Sequence, residues 1–137
     1  MAHHSLIHET FKMSLDIQVF ENDISFPTNT IMNIDVESCG FCGNTTMDID
    51  VKELAKFGVQ LSEIYISLKG KTKIQEPYGQ KQFVEFIGDG VGHVSVCGMI
   101  SNETTFSQKL CFENQIDQTI LKDFANELKE KYSIYLR

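Results

Sequence analysis

Two stretches of this chain, 67 positions apart, carry the same amphipathic pattern, and that repetition constrains the fold more than any other feature. In the first, Leu54, Phe57, Leu61 and Ile64 recur at spacings of three and four, which makes one apolar stripe along a helix. Asp50 is placed to cap the free N–H groups at its start, with Glu53 three residues on completing a capping-box-like pair. Gly70 is the expected stop, with an earlier exit left open. The second stretch runs from Asp117 to about Tyr132, with Ile120, Leu121, Phe124 and Leu128 facing inward. Laid over one another, Asp50 falls on Asp117, Leu54 on Leu121, Phe57 on Phe124, Leu61 on Leu128 and Glu63 on Glu130. Any capped amphipathic helix reproduces the Asp and the stripe. A phenylalanine in the same slot is harder to obtain that way, and it points to an internal duplication of about 31–66 and 92–132.

Strand patterns fill most of the remainder. Ser14–Phe20 alternates Leu15, Ile17 and Val19 with polar neighbours, Ile31–Val36 does so through Ile34 and Val36, and Met47–Val51 through Met47, Ile49 and Val51. Further strands are expected near 71–76, 82–87, 92–100 and 105–113, with Pro77-Tyr78-Gly79-Gln80 and Gly88-Asp89-Gly90 as turns. Strands, helix, strands, helix is the order of an α+β protein: an antiparallel sheet with two amphipathic helices, built as two sheet-then-helix halves. At 137 residues the chain is the size of a single domain, 1–137, able to bury one core.

The formal net charge of −7 is unevenly distributed. Residues 1–63 hold ten carboxylates and three cations, whereas 64–137 hold nine of each, so the first half carries the whole imbalance. Nucleic acids and anionic membranes both demand cations, and this field suits neither. A basic protein or a cation suits it better. No apolar run approaches the roughly 20 residues of a membrane span, and the first residues lack the pattern of a secretory signal. His3 and His4 are given no functional weight.

The motifs that suggest chemistry have simpler readings. Cys39-Gly40-Phe41-Cys42 has zinc or redox spacing, but Cys97 and Cys111 do not form the second close pair of a zinc ribbon, and no helix opens at Cys42. Structural or incidental thiols are the simplest account. Gly88-Asp89-Gly90-Val91-Gly92 leads into a strand instead of the helix a phosphate cradle requires. His93 and Cys97 share a strand face but stand about 13 Å apart at ~3.3 Å per residue, too far for a catalytic pair. The acidic cluster is the most informative feature. Pairing 31–37 with 45–50 so that Ile34 opposes Ile49 and Val36 opposes Met47 would place Asp35 opposite Asp48, with Glu37 beside them. Such like-charge pairs cost a few tenths to about 1 kcal/mol, so Asp35, Glu37 and Asp48 are the candidate partner-binding residues. A merely solvated face is the competing account.

From Val36 onward the apolar positions and glycines carry a resemblance. It rests on Val36-Glu37-Ser38-Cys39-Gly40-Phe41-Cys42-Gly43, Leu54-x-x-Phe57-x-x-x-Leu61, Gly92-His93-Val94-x-Val96-x-Gly98 and Leu110-Cys111-Phe112. Over about residues 31–130 the chain resembles a group of small bacterial proteins that includes WapI-type immunity proteins. That resemblance implies a cytoplasmic protein that binds and neutralises a polymorphic toxin, and it supplies no catalytic residues; no cofactor or metal is expected. The cysteines flanking Gly40-Phe41 depart from the small or polar residues usual there. The alternative is a ligand- or metal-binding protein, or an enzyme, using Cys39/Cys42 or Asp35/Asp48.

Overall fold

The computed structural model describes residues 1–79 and 81–137. Gln80, the last residue of one expected turn, lies outside the described residues. The fold is α+β. Strands β1 (Ala2–Ile7), β2 (Phe11–Val19), β3 (Thr30–Ser38) and β4 (Phe41–Ile49) form one antiparallel sheet, A, in that order, followed by helix α1 (Val51–Ser67). Strands β5 (Lys69–Gln75), β6 (Phe83–Asp89), β7 (His93–Glu103) and β8 (Ser107–Asp117) form a second, B, followed by α2 (Leu121–Tyr132). The strands thus divide into two sheets of four, each followed by one helix.

The matched helix positions share an environment. Leu54 and Leu121, Phe57 and Phe124, and Leu61 and Leu128 are all buried in one core cluster that includes residues from both sheets. The two helices pack on each other, α1 also touches β5 and β6, and α2 touches β1. Phe57 meets Phe86 of β6 with ring centroids 5.8 Å apart, and Phe11 of β2 stacks on Phe112 of β8 at 5.6 Å. The chain thus ties each half into the other.

Close helix packing rests on Gly58. A methyl group there would lie 2.9 Å from Leu128 Cβ and 3.0 Å from the backbone of Leu128 and Lys129. Since backbone cannot swing aside as a side-chain tip can, Gly58→Ala should destabilise the protein by about 1–2 kcal/mol. Overpacking costs about 1–3 kcal/mol, and the better helix propensity of alanine returns up to about 1. A urea midpoint equal to or above that of the parent would show that the helices yield at this point.

The caps differ between the halves. Asp50 accepts from Lys52 N at 2.9 Å, as a cap should, but Glu53 sits beside Lys56 at 3.4 Å. The helix ends at Ser67, before Gly70, with Leu68 in the left-handed region donating to Ile64 O at 2.8 Å. Asp117 makes no side-chain cap; a short 3₁₀ turn, Gln118–Ile120, leads into α2.

The first strand was not apparent in the sequence. His4 points into the protein and is buried, with Nε2 3.0 Å from the Tyr132 hydroxyl and Nδ1 3.2 Å from Glu127. A carboxylate only accepts, so Nδ1–H donates to Glu127, and in the neutral ring Nε2 accepts from the Tyr132 hydroxyl. Burial, then the neighbouring Tyr135, pushes Tyr132 up to about 12, which keeps that donor in place. His4 thereby fastens β1 to α2.

Candidate functional site

The outward face of sheet A holds the acidic residues. Alternation sends Met32, Ile34 and Val36 inward and leaves Asp35 and Glu37 exposed, while Met47 and Ile49 point inward and leave Asp48 exposed. The same alternation in β2 adds Lys12 and Asp16 to this face.

The register differs from the expected one. The turn from β3 to β4 is only two residues long, with Cys39 and Gly40 both at positive φ (50° and 88°). Such a turn fits the right-handed twist of a hairpin and joins the strands at Ser38 and Phe41. Asp35 therefore faces Asn44, not Asp48, and Asp48 faces Ile31. Thr45 takes the place opposite Ile34, and Gly43 the place opposite Val36. The two registers differ by an even number of residues, so both send the same side chains inward and the hydrophobic pattern fits each equally well. Turn geometry decides between them.

The acidic face consequently has no like-charge pair. Asn44 Nδ2 donates to Asp35 Oδ1 at 2.6 Å, and Lys12 Nζ lies 3.5 Å from Glu37 across the β2–β3 pairing. His3 Nδ1 sits 2.7 Å from Asp16, so one of the histidines set aside earlier belongs to this face. Asp48 has no side-chain partner among the described residues. Lys12 and Asp16 were legible from the alternation of β2, but their place beside β3 depended on the register. Asp35 and Asp48 stand about 13 Å apart along the strands at ~3.3 Å per residue. One cation held at about 2.3–2.6 Å cannot bridge them.

The other candidate groups are dispersed. All four cysteines are free thiols. Cys39 lies in the turn, and Cys42 stands on β4 opposite Glu37. Cys97 lies on the outer face of sheet B, where burial, followed by the carboxylates of Glu85 and Glu113, pushes its thiol up and away from the thiolate a nucleophile requires. His93 opens β7, exposed, with Nδ1 3.4 Å from Asp89. Among the described residues no group of three or more His, Cys, Asp and Glu side chains is placed to hold a metal ion, and no helix is long and apolar enough to cross a membrane.

The exposed carboxylates thus lie on a sheet face, and the cysteines and His93 are spread over both sheets. No curated protein matches the sequence. The model of the immunity protein WapI-like family matches residues 8–136, nearly the whole length, and the chain belongs to that family.

Proposed function

We propose that this chain is a cytoplasmic bacterial immunity protein that binds and neutralises a cognate toxin through the outer face of sheet A. Family membership supports toxin neutralisation. The observation that carries the choice of surface is the set of exposed carboxylates at Asp35, Glu37 and Asp48, with Asp16 beside them and Lys12 as the one lysine or arginine on β2–β4 of that face. A face of this sign favours a cationic partner and raises the rate of encounter more than the final affinity. Its carboxylates project from paired strands, so the pattern is held rigid before binding.

The test uses as its probe a purified toxin domain that this chain neutralises when the two are co-expressed. With the double substitution Asp35→Lys and Asp48→Lys, association should slow by about tenfold or more at low salt, and its salt dependence should flatten. The melting temperature should be nearly unchanged, because neither side chain enters the core. An unaltered association rate would place the interface elsewhere on the protein.

A further inference from the structure

The outer face of sheet B has a different character from that of sheet A. Its two central strands present Phe83, Ile87, Cys97 and Met99, all at least partly exposed. One edge strand, β5, presents Lys69, Lys71 and Lys73, while the other, β8, presents Glu113 and Asp117. None of these five charged side chains has an ion-pair partner among the described residues. Lys73 instead lies with Nζ 5.8 Å from the Phe83 ring centroid, leaning towards the middle of the sheet. The face is thus a strip of apolar residues around Glu85, with a positive border on β5 and a border on β8 that is negative at Glu113 and Asp117 and positive at Lys109.

We propose that this face is the interface of a two-fold symmetric dimer of the chain. The pairing registers indicate how two copies would meet. Lys73, Glu85, Cys97 and Glu113 form one level row across the four strands, and Phe83 is level with Met99 in the next. A two-fold axis parallel to the strands and midway between β6 and β7 lays β5 of one copy over β8 of the other while keeping the rows level. Lys73 then meets the partner's Glu113, and Phe83 meets the partner's Met99, a favourable sulfur–aromatic contact. Each contact occurs twice. The other in-plane axis, across the strands, would stack the lysines of β5 on those of its copy, so charge selects the first arrangement.

The geometry tolerates sheet twist. Packed sheets cross at about −30°, which displaces the border strands by about 4 Å at ~7 Å from the axis, within the reach of a lysine side chain. The footprint is small: four strands and about seven residues cover roughly 450 Å² per copy before side-chain relief. That is below the ~800 Å² of a standard interface, so dimerisation should depend on concentration. Sheet A is left uncovered, and the inference stands apart from the toxin-binding reading.

The experiment is analytical ultracentrifugation of the full chain from about 1 to about 300 μM. The mass should rise from the 15.6 kDa of one chain towards twice that value. Lys73→Glu and Glu113→Lys should each weaken the dimer by about tenfold, since each places like charges together at two symmetric contacts. Combining them should restore it. Within one chain the two residues stand at opposite edges of the sheet, so the rescue must act between copies. A monomer throughout that range, or single variants that dimerise as the parent does, would overturn the proposal. So would a double variant that stays as weak as the singles.

Discussion

Replacing Phe57 or Phe124 with alanine is expected to cost about 3–5 kcal/mol each, by loss of transfer free energy and by the cavity left behind. Both rings are about 1% exposed, and both belong to the core cluster that the helices share with the sheets. Neither is at a surface where water could fill the space. Against a total stability of about 5–15 kcal/mol, one such substitution removes a large part of the margin. Equilibrium unfolding in urea measures it directly. Similar losses at both positions are expected from their matched places in α1 and α2. A loss under about 1 kcal/mol at either would show that its surroundings collapse into the gap.

Asn29 should be nearly as costly, though no pattern in the sequence marks it. Its side chain is fully buried between the loop after β2 and the start of α1. Oδ1 accepts from Val51 N and from Thr30 Oγ1, both at 2.8 Å. Nδ2 donates to Ile24 O at 3.2 Å, Phe26 O at 2.9 Å and Asp50 Oδ1 at 3.2 Å. One amide thus holds the loop closed and supplies a second cap to the helix. Asn29→Leu leaves these groups buried without partners, at about 1–3 kcal/mol for each, and a total near 3–5 kcal/mol is expected because they share one site. Asn29→Asp has the same shape, yet it cannot donate and brings a charge next to Asp50. Burial and that neighbour would raise its folded pKa above the ordinary value of about 3.9, so the folded state would hold the proton more tightly. The defect relative to the parent should therefore grow as pH rises through 4 and shrink below it. A defect independent of pH would show that the new carboxylate reaches water.

Although Leu6, Phe11 and Met13 of the core lay outside the segments it marked, the sequence by itself determined the two helices, seven of the eight strands, the α+β class and the apolar stripes of both helices. These follow from period: three-and-four spacing or alternation is a local property, and burial of the apolar side enforces it wherever the segment ends up. The family resemblance was likewise carried by apolar positions and glycines that define the fold. Tertiary structure alone decided what depends on distant partners. His4 reads as a polar interruption of β1 until Tyr132 and Glu127, more than 120 residues away, satisfy its ring. Asn29 is an ordinary loop residue until Val51 and Asp50 meet it. The acidic face shows the same division. Alternation placed Asp35, Glu37 and Asp48 outward, but which of them face one another was fixed by a two-residue turn at Cys39 and Gly40. A slip by an even number of residues leaves every side chain on its own side of the sheet, so burial cannot detect it, and only the turn's backbone and the pairing it imposes set the register.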